Sequence, residues 1–438
     1  MFNYIKNYKK LFDGSVNHFL AISILSIYPL FFFIGTAFVN SSILFLDVVF
    51  LIEIFKKKRF DVFKNYIFYS LIIIWFILLI NLVFSLDPFN SFGRSFGFLR
   101  YIIFVMLILY YFRINGQKYQ KIILTSWLII FLIVSFDLIF EIFNGKNILG
   151  FESYMPGRLA GFYNDELKIG HFYYAFILIA LTHFFNLFSK KKILLLGKDL
   201  NLKIIFYFLI SLFLVIALMI GERSNFIKIL IMILFFSFFF ERKFYKIKIV
   251  AFSVLFIIII SIINFNENYK GRFINQMIKP IFDNPVNYIA NHNYGKHYMT
   301  GLEVFQNNKI FGVGLKNYRI EVKNWKYDKA SPETGRNLTI LDASIHPHQL
   351  HFEILSELGI IGYIAFAIFF IFHFTKYFKN KKDINLHWAG FLFVCTSLLP
   401  LLPSGSFFTS HGAAMFWMNF AFMNLSQKNL NFEFHKIR

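Results

Sequence analysis

Apolar runs long enough to cross a hydrocarbon layer recur along almost the whole chain, at roughly 17–39, 41–55, 65–85, 96–112, 122–143, 169–188, 204–220, 225–240, 247–264, 352–375, 387–404 and 408–426. A bilayer core of about 30 Å takes about 20 helical residues to span, and inside it every backbone polar group has to find its partner within the segment. Such a pattern excludes an ordinary soluble globule. At 57% hydrophobic and 21% aromatic residues, there is too little polar sequence to cover a water-facing core of this size. The expected fold class is an all-α polytopic membrane protein of about twelve transmembrane helices. The weakest of these is 41–55, which is short and contains Asp47 and Glu53.

The connections alternate in charge. Lys6/Lys9/Lys10, Lys56–Arg59, Arg113/Lys118/Lys121, Lys190–Lys192, Arg242/Lys243/Lys246/Lys248 and Lys376/Lys379/Lys381/Lys382 fall in every second connection, and Lys428, Lys436 and Arg438 close the chain. Loops rich in Lys and Arg stay on the cytoplasmic side, which predicts that both termini are cytoplasmic. The net charge of +21 therefore reflects topology and not nucleic-acid binding. The basic N-terminal patch is not followed by a small-residue cleavage site, so the first run is expected to be an uncleaved span. Cys395, alone of its type and in an apolar run, allows neither an intramolecular disulfide nor a Cys-based metal cage.

The remaining connections face outward. They comprise 144–168, a tight turn at 221–224, and one long segment, 265–351, which separates nine helices (1–264) from three helices and a tail (352–438). In the long segment a short helix is expected near 296–308. Turn signals lie at Asn284-Pro285, at 312–314 and at 331–335 within otherwise mixed content. No phosphate-binding glycine loop occurs on the cytoplasmic side. Chemistry is therefore expected outside.

The densest titratable stretch is His346-Pro347-His348-Gln349-Leu350-His351-Phe352-Glu353, followed by Glu357, Gly359 and Gly362. Pro347 forbids backward propagation of a helix, so the tenth span should begin near 348–350, with His348 and Gln349 at its mouth. Imidazole is the side chain best placed to accept a proton near neutral pH. Interfacial helix capping explains the same residues equally well. Zinc ligation by the three histidines matches no standard spacing. Gly359 and Gly362 permit close approach of a helix or lipid chain, and Glu353 and Glu357 share a helix face.

Outward arginines form the second element. Arg158 sits in Gly157-Arg158-Leu159-Ala160-Gly161-Phe162, and Arg223 in Gly221-Glu222-Arg223-Ser224-Asn225. Guanidinium forks suit phosphate oxygens, although a snorkelling Arg223 or a solvated Arg158 is the plainer alternative. Lys228, one turn further on, either joins Arg223 or snorkels. Arg94 and Arg100 are weaker candidates. Few charges fall inside spans, so a transporter or flippase, which needs a polar path through both leaflets, is a poorer fit.

His348 and Gln349, nine residues, Gly359, two residues and Gly362 together resemble the signature of the bacterial O-antigen ligase and polymerase superfamily. The run Asn308-Lys309-Ile310-Phe311-Gly312-Val313-Gly314-Leu315-Lys316-Asn317-Tyr318 is similar to that family's loop motif. The segments 158–162 and 221–223 are similar to its arginine motifs, except that Glu222 stands where many relatives have Ser. The resemblance covers roughly 150–375. It implies an inner-membrane, metal-independent glycosyltransferase of the cell envelope, without a cofactor, with its active site in the periplasm. That enzyme moves a glycan from an undecaprenyl-pyrophosphate-linked donor to lipid A–core as a ligase, or to a lipid-linked glycan as a polymerase. Arg158 and Arg223 would hold the pyrophosphate and His348 would be the base, with nearby arginines keeping it neutral. Gln349, Glu222, Lys228, Gly359 and Gly362 would support them.

Overall fold

The computed structural model describes residues 15–114, 118–188, 192–195, 198–239, 245–324, 346–379 and 386–426. The turn expected at 331–335, the N-terminal basic patch and the C-terminal lysines lie outside them. A helix occupies each of the twelve expected positions. They are α1 (Val16–Ile34), α2 (Thr36–Lys57), α3 (Tyr66–Val83), α4 (Pro88–Gly97) running on into α5 (Leu99–Tyr111), α6 (Lys118–Asn144), α7 (Ile169–Phe188), α8 (Leu202–Met219), α9 (Arg223–Phe239) and α10 (Tyr245–Phe265). After the outer segment, with α11 (Asn293–Asn307) and α12 (Tyr318–Asn324), come α13 (Leu350–Lys379), α14 (Leu386–Ser397) and α15 (Ser410–Asn424). Among the described residues eight helices are long and apolar enough to cross a membrane, and α8 and α14 are shorter apolar helices. The chain is an all-α polytopic membrane protein.

Local chemistry sets the helix ends. The Ser15 hydroxyl caps α1 at the His18 amide (3.3 Å), and the Asn65 side chain accepts from the amides of Ile67 and Phe68 at the start of α3. Gly35, at φ 139°, separates α1 from α2, so the break falls five residues earlier than the composition suggests. Asp87 accepts from the Asn90 amide and Pro88 takes the first helical position, which starts the fourth span at 88 and not 96. Pro400 and Pro403 end α14 at Ser397, short of the expected 404, and leave 398–409 as a non-helical loop between α14 and α15.

Burial sorts the helices. On α5 and α15 nearly every residue is buried, whereas on α10 Ile249, Val250, Val254, Phe256 and Ile257 are exposed. A helix apolar on all sides belongs either inside a bundle or against lipid, and both cases occur here. The connection after α7 contains a two-stranded antiparallel hairpin, Lys192–Leu195 with Lys198–Asn201, which composition did not announce.

The described part of 265–351 is largely helical where mixed content was expected. Short pieces at Glu267–Lys270, Gly271–Ile278, Lys279–Asp283 and Pro285–Asn291 lead into α11. Asn284-Pro285 starts a helix, with Asn284 accepting from the Asn287 amide.

Candidate active site

Gln349 supplies the cap that opens α13: its side-chain oxygen accepts from the amides of His351 (2.7 Å) and Phe352 (3.2 Å). One residue before it, His348 has φ 55°, a left-handed conformation that a residue with a Cβ adopts only when its surroundings enforce it. The enforcement is visible. The Ser404 amide donates to the His348 carbonyl (2.8 Å), and Pro347 lies against Gly301 of α11, where a Cβ would come within 3.0 Å of its ring. The imidazole is thereby turned into a cavity of about 560 Å³, a volume suited to a ligand head group.

Arg158, Arg223, His346 and His348 all line that cavity, so the structure brings together three of the segments singled out above. Two glycines make the convergence possible. Gly221 has φ 75°, and a Cβ there would collide with the carbonyl oxygen of Gly157; a Cβ on Gly157 would come within 2.9 Å of Arg272. The two arginine turns thus interlock backbone to backbone, with the Leu159 amide donating to the Ile220 carbonyl (3.3 Å). Two carboxylates of α6 fasten the 144–168 loop. Glu141 accepts from the amides of Ala160 (2.7 Å) and Gly161 (2.8 Å), and Asp137 accepts from that of Ile148 (2.9 Å).

Glu222 pairs with Arg158 (3.0 Å) and not with its neighbour Arg223. It also accepts from the Gly170 amide (3.1 Å) and the Asn225 side chain, and stands 3.3 Å from Nδ1 of His171. Burial would raise this carboxyl, but His171 and the Arg158 charge hold it below its ordinary value, ionised. Arg223 donates to the Arg272 carbonyl (2.9 Å), and Arg272 donates to the Gly221 carbonyl (3.1 Å). Nε of Arg158 and of Arg272 find no hydrogen-bond partner among the described residues. Burial, together with the charges of Arg158 and Arg223, brings Arg272 down to about 10. Three guanidiniums border the cavity and Glu222 pairs with only one of them, Arg158, which is the electrostatics of an anion site.

His348 is pushed down to about 4, first by burial and then by His297 and His171. Sequence reasoning assigned that depression to nearby arginines. Histidines and desolvation cause it instead. Its ring lies 4.2 Å from that of His346 and 4.9 Å from that of His297, centroid to centroid. His346 is held at about 3 by burial and by the His348 charge. His351 turns away, its Nε2 at 2.9 Å from the Leu398 carbonyl and its Nδ1 at 3.2 Å from the Tyr363 hydroxyl. Among the described residues no three metal-binding side chains are grouped to hold an ion.

Lys228 neither joins Arg223 nor snorkels: it is buried and donates to the Pro403 carbonyl (2.8 Å), holding the 398–409 loop against the cavity. Glu353 fastens the same loop through the Ser406 hydroxyl and the Phe407 amide (2.7 Å). Arg100 lies over the Tyr101 ring, and neither it nor Arg94 lines the cavity.

Gly359 is the point where α13 breaks, at φ 65° and ψ −166°. The 308–318 run fills the break as a strand would. The amides of Ile360 and Ile361 donate to the carbonyls of Lys309 (2.8 Å) and Ile310 (3.3 Å), and those of Val313 and Gly314 donate to the carbonyls of Ser356 (2.9 Å) and Glu357 (2.8 Å). A Cβ on Gly359 would lie 2.6 Å from the Gly312 nitrogen, so the close approach allowed by glycine is used by this loop. Asn317 locks the loop's other end, donating to the carbonyls of Asp87 and Val313 and to the Ser91 hydroxyl, each within 3.1 Å. Gly362 lies against the Leu358 side chain. The loop motif and Gly359 thus fix the break inside α13, and Gly362 packs just beyond it.

Residues 206–367 match the family model Wzy_C, described as O-antigen ligase. The match places this stretch with the O-antigen ligase and polymerase superfamily. The matched stretch contains Arg223, Lys228, the 308–318 loop, His348, Gly359 and Gly362, while Arg158 precedes it. No curated protein matches the chain. The match supports glycan transfer of the O-antigen ligase and polymerase type at a bilayer.

His171, Arg272, Tyr288, His292, Tyr294 and His411 also line the cavity and were not singled out from sequence. His171 and His411 lie in apolar runs, and Arg272 follows a span in a polar stretch without pattern. Only tertiary packing gathers them.

Proposed function

We propose that this protein is an O-antigen ligase: it transfers a glycan from undecaprenyl pyrophosphate to a hydroxyl of lipid A–core on the periplasmic face of the inner membrane. The observation that carries this reading is the single cavity on which His348 meets Arg158, Arg223 and Arg272. A guanidinium cluster suits a pyrophosphate, and it stabilises the charge that grows as the pyrophosphate leaves. A glycosyl pyrophosphate is already activated and needs no nucleotide. His348, neutral above about 4, accepts the acceptor hydroxyl's proton as that oxygen attacks the anomeric carbon, most simply with inversion. Gln349 caps the helix, and the Ser404 amide holds the His348 backbone at its mouth. Glu222 orients Arg158, and Lys228 backs the cavity wall.

The glycolipids of a deletion strain test the reading. Accumulated full-length lipid-linked polymer is expected. Single repeat units stranded outside would assign the protein as a polymerase, and units trapped inside as a flippase.

A further inference from the structure

His171 stands at the start of α7 with about a third of its side chain exposed (37%) on the cavity wall. Glu222 approaches Nδ1 at 3.3 Å. Nε2 faces the opposite way, toward Gly405 of the 398–409 loop, where a Cβ would lie 3.7 Å from it. The contact is an ion pair outside hydrogen-bond geometry, and the carboxylate's charge favours the protonated ring, with Nε2 toward the loop wall of the cavity that the guanidiniums also line. The charged and titratable groups around it come from several elements: Arg158 and Lys168 on the outer loop, Glu222 before α9, His411 on α15 and His348 before α13. His348, by contrast, has no carboxylate at hydrogen-bond distance among the described residues. Two of the imidazoles that line the cavity thus stand in different settings, His348 bordered by histidines and His171 beside the Glu222 carboxylate.

We infer that His171 serves the leaving group: paired with Glu222, its imidazolium donates Nε2–H to an oxygen of the departing pyrophosphate. The inference rests on the ligase reading of this cavity. The anomeric C–O bond to phosphate breaks with its electron pair going to the phosphate oxygen. The acceptor oxygen forms the new C–O bond and gives its proton to His348. The proton of His171 passes to the phosphate oxygen, so the leaving group departs with one charge fewer. Binding of a lipid pyrophosphate then draws a proton onto His171, whereas a guanidinium site alone would leave proton content unchanged or lower it by depressing the phosphate's own titration.

The test uses the full chain in nanodiscs, with farnesyl pyrophosphate as the probe, titrated calorimetrically at about pH 7.5 in two buffers of different ionisation enthalpy. Wild-type protein is expected to take up part of a proton per ligand bound. His171→Gln is expected to bind within about tenfold of wild type, to take up none, and to lose at least about tenfold in kcat with the acceptor KM retained. No uptake by wild type, or the same uptake in His171→Gln, overturns the inference while leaving the arginine site intact. No binding by wild type at any pH overturns the ligase reading as well. The wild-type measurement decides even if the variant does not fold.

Discussion

At the scale of single residues, backbone geometry explains why certain side chains stand where they do. His348 sits at φ 55°, so replacing it by Ala would mix strain with loss of the imidazole. Asn tolerates that conformation, and His348→Asn is the cleaner variant. The depressed value of His348 gives a pH prediction. The neutral form is the base and is populated above the folded value, so the acid limb of kcat/KM is expected near about 4 and not near the ordinary 6.5. A limb near 6.5 would contradict the burial described here. Gly221→Ala places a Cβ against the Gly157 carbonyl at φ 75°. It is expected to cost roughly 1–3 kcal/mol by thermal unfolding in detergent and to reduce transfer by separating the arginine turns. Full transfer by that variant would show that the interlock is dispensable. His348, Arg158 and Arg223 were legible in the sequence because each sits in a short motif at a span edge. His171 and Arg272 were not, because their meaning comes from Glu222 and from the arginine turns, which only the fold brings to them.

At the scale of elements, span positions could be read from apolar runs and loop charge, but helix interruptions could not. A glycine in an apolar run is compatible with an intact helix, and the break at Gly359 depends on a loop some forty residues earlier in the chain donating and accepting across it. Likewise Pro400 and Pro403 lie in an apolar run, yet they release 398–409 to form the cavity wall held by Lys228 and Glu353. Gly359→Ala is expected to destabilise by about 3 kcal/mol or more, since the new methyl meets backbone that cannot rotate away. Gly362→Ala also meets a fixed atom, the Leu358 Cβ, but should cost less, since Gly359 alone of the two has a positive φ that a residue with a Cβ resists. Thermal unfolding of the two variants side by side checks the order, and the reverse order would contradict the loop's role.

At the scale of the whole molecule, charge alternation along the chain predicts that the cavity faces the periplasm. In a Cys395→Ala background, a cysteine at the exposed Tyr154 is expected to react with an impermeant thiol reagent added to the periplasmic side, and one at Lys56 only after the membrane is opened. The reverse labelling would invert the topology and remove the cavity from its proposed substrates. The most direct measurement is transfer itself, with purified protein reconstituted with an undecaprenyl-pyrophosphate-linked glycan and lipid A–core. Wild-type protein should form the joined product. His348→Asn, folded and inserted to the same extent, should form none above background. Product formed by His348→Asn at the wild-type rate would contradict a base at this position.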